Sequence, residues 1–430
     1  METIELIGEI QVADLRFGEA PLPAARPGFE PALDATALTA PGYRSPAGRP
    51  VPGLLVHTSL GPGQRTLLRI PDAWNGKLVA AGTPATRSEF ACDLVFGETA
   101  LAGGYAYVAS NKGIAFNAIV GPAGGDPSVY VPPFPGVLAP GDGIRLGALE
   151  PAAATIEGWN DDYAAIVAYA REGLRRRRGA EPERTYAVGL SNGGGQVRSL
   201  IERHPKLVDG ALDWAGVGWS AQRNILTVLP AFVGGVSPLA LGGEVAPADC
   251  AALLALGFPP DRRQADAVHP SLWRDHLAWP PFYCDLTTFL YARLLDEQAP
   301  RLVTLEERSA YRPSQKATER IARLAPRGRI GCPLVAIAGS ADVLIPPAIH
   351  ARPYLDAIVG AGEGERVWYY EVDSATHVDA FAAFGYGLRA QYPFACAAFE
   401  QLVAIVERGF RPPGAGTPRT VTDPSEIAAG

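Results

Sequence analysis

The chain has 430 residues, of which 47% are hydrophobic and 19% charged, and its formal net charge is −7. This length and composition favour a globular protein with a large core, built as one α/β domain with insertions or as two domains. The acidic balance argues against a nucleic-acid partner, and no stretch is long and apolar enough for a transmembrane helix, so we expect no membrane partner either. The sequence leaves the oligomeric state open.

The first 60 residues form a segment rich in glycine and proline, with short strand-like pieces such as residues 7–17. Its first six residues lack the basic and apolar regions of a signal peptide. We therefore expect a cytoplasmic protein, with secretion after removal of a signal as the alternative.

From residue 61 onward, strand-like and helix-like patterns alternate. Short apolar runs predict strands, and residues repeating with helical period predict helices. The predicted strands are 65–70, 77–81, 105–110, 185–189, 211–216, 333–338 and 367–372, and the predicted helices are 155–176, 196–203 and 394–408. This alternation predicts an α/β fold with a mostly parallel sheet flanked by helices. Residues 61–216 and 331–410 would form its catalytic domain.

Between these two parts the alternation lapses, and residues 217–330 are predicted to be an inserted helical cap. Three of its tryptophans, Trp219, Trp273 and Trp279, are candidates for substrate binding. The alternative is that these aromatic residues pack a helical subdomain. Residues 411–430 are predicted to be a C-terminal tail.

The four consecutive arginines at 175–178 end the helix predicted over 155–176. Cations are favourable at the negative end of a helix dipole. This run is therefore interpreted as a solvated helix end and not as a phosphate site.

A nucleophile motif of the form Gly-Xaa-Ser-Xaa-Gly occurs at Gly189-Leu190-Ser191-Asn192-Gly193. A predicted strand precedes it and a predicted helix follows. A sharp turn between strand and helix exposes the serine hydroxyl beside free backbone N–H groups. Ser191 is therefore predicted to be a catalytic nucleophile, with a glycine-rich turn as the structural alternative.

A serine nucleophile needs a base and an acid that orients the base. His377 follows the last predicted strand, which is where the order serine, acid, histidine puts the base. Asp342 follows the preceding strand and is the predicted acid, while Asp373 and Asp379 are weaker candidates on the histidine's own loop. Asp342 could instead cap a turn before Pro346.

An oxyanion hole needs two N–H groups directed at the developing negative charge. One is predicted to be the amide of Asn192, directly after the nucleophile. The other is expected from the loop after strand 77–81, with Thr83 as first choice and Gly82 as second. An ordinary turn is the alternative for that loop.

No cofactor and no metal are expected, because the chain lacks His-Glu-Xaa-Xaa-His, a phosphate-binding Gly-Lys-Ser/Thr and the dinucleotide fingerprint. The five cysteines are scattered, with no Cys-Xaa-Xaa-Cys. Buried free thiols are expected for them, with one or two disulfides as the alternative.

With these motifs, the chain resembles α/β-hydrolases and, more narrowly, 3-hydroxybutyrate-oligomer hydrolases. The resemblance lies in 189–194, in Ala341-Asp342-Val343-Leu344-Ile345-Pro346-Pro347 and in His377-Val378-Asp379-Ala380-Phe381, and it extends to 105–113, 352–354 and 369–372. It implies Ser191 as nucleophile, Asp342 as acid and His377 as base.

The tannase and feruloyl esterase group is a broader relative. Its members carry paired cysteines next to the nucleophile and the histidine, where this chain has Leu190 and Val378. That disulfide is therefore not expected here.

These observations predict a serine esterase that hydrolyses short hydroxyacid oligoesters through an acyl-enzyme, with a small-molecule ester as its partner. Three alternatives stay open. The same triad could act on aromatic esters, it could transfer the acyl group to an alcohol, or the chain could be a hydrolase-fold binding protein without activity.

Overall fold

The structure, a computed structural model, describes residues 4–15, 50–84, 89, 96–113, 119–120, 130–131, 143–145, 155–240, 242–265, 270–278, 288, 291–292, 294–299, 305–377 and 379–427. The strands in these residues are β1 (Glu5–Val12), β2 (Gly53–Ser59), β3 (Thr66–Pro71), β4 (Lys77–Gly82), β5 (Ala106–Ser110), β6 (Ile119–Val120), β7 (Tyr130–Val131), β8 (Gly143–Arg145), β9 (Arg184–Leu190), β10 (Gly210–Trp214), β11 (Leu334–Gly339), β12 (Val367–Val372) and β13 (Pro418–Val421). The helices are α1 (Glu98–Ala102), α2 (Ile156–Arg178), α3 (Asn192–Arg203), α4 (Ile225–Ala240), α5 (Pro247–Leu256), α6 (Leu272–Ala278), α7 (Leu305–Ala310), α8 (Gln315–Leu324), α9 (Pro347–His350), α10 (Arg352–Gly360) and α11 (Tyr392–Arg408).

A ten-stranded mixed sheet runs through the molecule in the order β1-β2-β3-β5-β4-β9-β10-β11-β12-β13. In this order the pairing is antiparallel from β1 through β2 and β3 to β5, and parallel from β5 through β4, β9, β10, β11 and β12 to β13. The predicted α/β fold with a mostly parallel sheet is therefore confirmed. The short strands β6, β8 and β7 form a second, antiparallel sheet.

Side chains that alternate along the parallel strands divide between two core layers. On β9, Tyr186 and Val188 join the layer under α11, whereas Ala187 joins the layer under α2, α3 and α10. A strand buried on both faces reads as a continuous apolar run, and this is why these strands could be recognised in the sequence.

Helices α4 to α8 lie between β10 and β11, in the stretch predicted to be a cap, and α4, α5, α6 and α8 share a third apolar cluster. The predicted domain bounds stay a prediction, but two segments outside the predicted catalytic domain contribute to the large sheet. Strands β1 and β2 extend one edge, and β13, from the predicted tail, forms the other by pairing with β12.

The helix predicted over 155–176 is α2, and the arginine run at its end is engaged in contacts. Arg175 and Arg176 pair with Glu172, and Arg177 pairs with Glu9. No helix in the described residues is long and apolar enough to cross a membrane. Cys250, Cys332 and Cys396 are free thiols, and the other two cysteines lie outside the described residues.

Candidate active site

The strand order brings four loops to one edge of the sheet. Strands β4, β9, β10, β11 and β12 are consecutive and parallel, so their carboxyl ends meet at the same edge. Thr83 follows β4, Ser191 follows β9, Asp342 lies beyond β11 and His377 lies beyond β12. Ligands of parallel α/β sheets bind at this edge.

Ser191 stands in a strained turn between β9 and α3. Its φ of 59° and ψ of −119° lie outside the regions that non-glycine residues prefer. Two neighbours hold the turn: the Ser191 N–H donates to the Trp214 carbonyl at 2.9 Å, and the Ser191 carbonyl accepts from the Val217 N–H at 2.9 Å. Strain of this kind persists only where the surroundings enforce it, and it is concentrated at functional sites.

Glycines around the serine let three backbones approach closely. A Cβ on Gly193 would lie 2.0 Å from the Gly82 carbonyl oxygen, and a Cβ on Gly189 would lie 2.2 Å from the Gly193 carbonyl carbon. Gly82 and Gly189 are paired in the sheet. Thr83, the next residue after Gly82, is thereby held close to the N-terminus of α3.

Asp342 and His377 form a buried hydrogen-bonded pair. The His377 Nδ1 atom lies 2.7 Å from Asp342 Oδ2, and the two residues are 4% and 0% exposed. The other carboxylate oxygen accepts the N–H groups of Leu344 and Ile345 at 2.9 and 2.7 Å. Because a carboxylate only accepts, Nδ1 carries the proton and Nε2 is left as the basic nitrogen of the ring.

The two alternative acids are engaged elsewhere. Asp379 accepts the N–H groups of Gln391 and Tyr392 at 2.7 and 2.9 Å, where α11 begins, and burial raises its pKa to about 6. Asp373 accepts the hydroxyl of Ser374 at 2.9 Å. Of the three candidates, Asp342 is the one hydrogen-bonded to Nδ1 of His377.

Two residues that the sequence analysis did not select hold the histidine loop. The His276 Nε2 atom, from cap helix α6, lies 2.6 Å from the Thr376 hydroxyl, and the Gln391 side chain donates to the Thr376 carbonyl at 2.6 Å. His276 also stacks on Phe381 with 4.2 Å between ring centroids. Burial lowers the pKa of His276 to about 4, so its ring is neutral at pH 7. A contact across 100 residues of chain leaves no local sequence signal.

A buried lysine, Lys112, holds the predicted oxyanion loop. Lys112 is 1% exposed, adopts a left-handed φ of 58°, and donates from Nζ to the Thr83 carbonyl at 2.8 Å. Its ammonium group also lies 4.2 Å over the ring of Trp159. The Thr83 hydroxyl donates to the Ser110 carbonyl. The carbonyl and side chain of Thr83 are thus both anchored. Its N–H and that of Asn192 stay predictions as oxyanion donors.

Asp162 compensates the buried charge of Lys112. Its carboxylate accepts the Ser110 hydroxyl and, at 2.6 Å, the side-chain amide of Gln64. Burial raises the pKa of Asp162 to about 6, while Lys112 opposes that rise. The lysine therefore belongs to a buried polar network that continues into α2.

The candidate substrate-binding tryptophans differ in their surroundings. Trp273 is 1% exposed and its indole N–H donates to the Pro259 carbonyl at 3.0 Å, as expected of a core residue. Trp219 is half-buried and packs edge-on against Tyr291. Trp279 lies outside the described residues. Substrate contact stays a prediction for all three.

Comparisons with known proteins agree with this architecture. The model of the 3HB-oligomer hydrolase family matches residues 299–421, a stretch that includes Asp342 and His377 but not Ser191. The sequence resemblance to that family is confirmed over this part of the chain. A comparison with curated proteins gives no match.

Solved structures with related folds include feruloyl esterase B from Aspergillus oryzae, at 12% identity and a TM-score of 0.54, covering 96% of this chain and 89% of that one. An esterase from Aspergillus oryzae has 10% identity and a TM-score of 0.54, covering 96% and 88%. Tannin acyl hydrolase from Aspergillus niger has 12% identity and a TM-score of 0.50, covering 87% and 82%. At these identities the likeness shows the fold, which is that of α/β-hydrolases. Together with the family match, it supports an ester-hydrolysing enzyme.

Proposed function

We propose that the protein is a serine esterase in which Ser191 is the nucleophile, His377 the general base and Asp342 the acid that orients the base. The observation that carries the proposal is the buried 2.7 Å hydrogen bond between Asp342 and His377, on the sheet edge where the Ser191 turn also lies. An imidazole that a carboxylate holds through Nδ1 is the arrangement that activates a serine hydroxyl.

In the first half of the reaction, Nε2 of His377 takes the hydroxyl proton of Ser191 as its oxygen attacks the ester carbonyl. The carbonyl oxygen becomes an oxyanion that the N–H groups of Asn192 and Thr83 stabilise. The intermediate collapses as His377 returns the proton to the leaving alcohol. Asp342 stabilises the imidazolium and takes up no proton.

In the second half, a water molecule attacks the acyl-enzyme while His377 removes its proton. The same two N–H groups stabilise the resulting oxyanion. Collapse of this intermediate, with return of the proton from His377, regenerates the Ser191 hydroxyl and releases a carboxylic acid. In this scheme negative charge would develop beside the N–H groups of Asn192 and Thr83, and positive charge on His377 beside the Asp342 carboxylate, so little reorganisation would accompany each step.

The proposed substrates are short linear oligoesters of hydroxyacids of the 3-hydroxybutyrate type. The match of residues 299–421 to the 3HB-oligomer hydrolase family supports this class. The competing class is aromatic esters, in line with the names of the feruloyl esterase and tannase that share the fold. Offering an aliphatic oligoester and a feruloyl ester in one assay would rank the two by kcat/KM.

The decisive experiment is mass-spectrometric detection of 3-hydroxybutyrate released from its linear trimer. The native protein should release it and Ser191→Ala should not, while circular dichroism shows both to be folded. Ser237→Ala is the matched control, because among the described residues that hydroxyl bonds only to the Gly234 carbonyl, in its own helix α4. Equal release by Ser191→Ala would overturn the mechanism.

The same assay separates the remaining alternatives. No release from the trimer, with short activated esters still cleaved, would keep the triad and move the substrate towards aromatic esters. An acyl ester formed with an added alcohol would identify acyl transfer. Failure of a fluorophosphonate to label Ser191 would identify a binding protein without activity.

A further inference from the structure

A cleft of about 300 Å³ lies beside α3, on a different face from the one that packs on the sheet. One wall is the helix face formed by Gly195, Arg198, Ser199, Glu202 and Arg203, whose spacing of three and four residues puts them on one side of a helix. The opposite wall is the segment 323–329 at and after the end of α8. The cleft is thus built between the nucleophile helix and the cap.

The opposite wall is fixed in position by α3 itself. The two carboxylate oxygens of Glu202 accept the backbone N–H groups of Arg327 and Gly328, both at 2.7 Å. Gly328 has a φ of +78°, and a Cβ there would lie 2.2 Å from the Ala357 carbonyl oxygen. The segment therefore has a conformation that only glycine permits, and it presents Arg327 and Arg329 to the cleft.

The charge of the cleft is unbalanced. Five arginines line it (Arg198, Arg203, Arg323, Arg327 and Arg329), against one carboxylate, Glu202, whose oxygens are occupied by backbone N–H groups. Arg198 is paired with Asp213 at 2.7 Å. The other four are solvent-exposed, and within the described residues none of them forms an ion pair. This contrasts with the run at 175–178, where three of the four arginines pair closely with glutamates.

Converging guanidinium groups repel one another unless an anion lies between them. Their planar N–H pairs match the oxygens of a carboxylate or phosphate group. Trp219 adds an aromatic wall that the cleft shares with a neighbouring cavity of about 360 Å³, so an apolar portion of an acid would also fit. In a chain with a net charge of −7, one small cavity is lined by four arginines that form no ion pair within the described residues, and this points to a ligand.

We propose that this arginine cleft is a second, non-catalytic binding site for a small oxyanion, either a carboxylate or a phosphate. The volume limits the ligand to a small molecule, and the exposed arginines at its rim leave it open to solvent. A carboxylate could come from the acid end of a linear hydroxyacid oligomer, and a phosphate from inorganic phosphate. The site does not depend on the proposed esterase activity, because its argument uses none of Ser191, Asp342 and His377.

The test is calorimetric titration of the Ser191→Ala protein, which excludes turnover. Inorganic phosphate, the free acid of the linear 3-hydroxybutyrate trimer and the methyl ester of that trimer are titrated separately. Each titration is repeated in Arg327→Gln/Arg329→Gln and in a control, Arg175→Gln/Arg176→Gln, which removes the same charge from a site where both arginines are already paired. Circular dichroism checks the fold of each variant.

We expect phosphate or the trimer acid to bind with a Kd at least about tenfold lower in the parent and the control than in the cleft variant, because the cleft variant loses two guanidinium groups that can form charge-assisted hydrogen bonds to the anion. If the cleft substitutions weaken binding of the trimer acid but not of its neutral methyl ester, the ligand is the acid end of the oligomer. If these substitutions weaken binding of phosphate alone, the cleft is a phosphate site. The proposal is overturned if neither anion shows binding that weakens in the cleft variant relative to the control.

Discussion

Helix α3 borders two regions that differ in whether their charged groups have partners within the protein. At its N-terminus lies the proposed catalytic edge, where the carboxylate of Asp342 is hydrogen-bonded to His377 and to two backbone N–H groups. Along its outer face, the arginine cleft holds four guanidinium groups that pair with no described carboxylate. In a preorganised active site, the supporting groups are hydrogen-bonded to one another, so that only the reacting atoms remain available. In a ligand site, charged groups stay without a counter-charge until the ligand binds.

This comparison predicts that the largest functional effect follows loss of a saturated contact on the catalytic edge. Asp342→Asn should lower kcat about 10,000-fold, because an amide can donate to Nδ1 and so favour the wrong tautomer of His377. Steady-state kinetics with a short activated ester measures the effect. Asp373→Asn, on the histidine loop but hydrogen-bonded to Ser374, should stay within about threefold of the native enzyme. Similar losses in both variants would contradict the assignment of Asp342.

Arg198 also lines the cleft, but unlike the other four arginines it forms an ion pair. It is buried, bonds Asp213 at 2.7 Å and donates to the His350 carbonyl at 2.8 Å. Arg198→Met would leave the Asp213 carboxylate buried and alone, so we expect the free energy of unfolding to fall by about 3–5 kcal/mol. Arg175→Met should lower the free energy of unfolding far less, because water screens its exposed pair with Glu172. Urea denaturation of both variants tests the difference, and equal costs would refute it.

Protonation of His276, which holds the histidine loop, gives the third test. Its pKa is lowered from 6.5 to about 4 in the folded protein, so the unfolded chain binds its proton first as the pH falls. Stability is therefore lost between about pH 6.5 and 4, by about 3 kcal/mol from this group.

The matching experiment compares the native protein with His276→Gln, which stays neutral. The stability advantage of the native protein at pH 7 should shrink by about 3 kcal/mol at pH 4. The raised pKa values of Asp162 and Asp379 act in the opposite direction but are common to both proteins and cancel. His204→Gln, an exposed position, serves as control. A pH-independent difference between native and His276→Gln would contradict the neutral, buried state of His276.

The smallest expected effect concerns Lys112, which holds the predicted oxyanion loop through the Thr83 carbonyl. Lys112→Met removes the charged hydrogen bond to the Thr83 carbonyl, and we expect kcat to fall about tenfold with little change in KM. Lys77→Met is the control, because Lys77 begins β4, the strand that Thr83 follows, and pairs with Glu407 near the surface. A change in KM alone would argue that Lys112 affects ground-state binding instead.

The fold and the positions of the catalytic candidates were within reach of the sequence. Apolar runs at 185–189, 333–338 and 367–372 correspond to β9, β11 and β12, because strands buried on both faces must be apolar throughout. The residues that follow parallel strands share one edge, so the order of the chain was enough to nominate Ser191, Asp342 and His377. Most element ends shifted by one or two residues, as at β10, which ends at Trp214 and not at Gly216. Helix α3 begins at Asn192, four residues before its predicted start at 196.

Other features arose only when distant segments met. Which of three aspartates bonds His377, how His276 and Gln391 hold Thr376, and why Lys112 is buried beside Thr83 all depend on contacts across tens or hundreds of residues. The same holds for charge. The conspicuous arginine run at 175–178 is largely neutralised by Glu172 and Glu9, whereas Arg203, Arg327 and Arg329, scattered along the chain, converge on one cleft. Local periodicity encodes elements because it is set by neighbours in sequence. Pairing and charge balance are set by neighbours in space, and only the tertiary structure decides those.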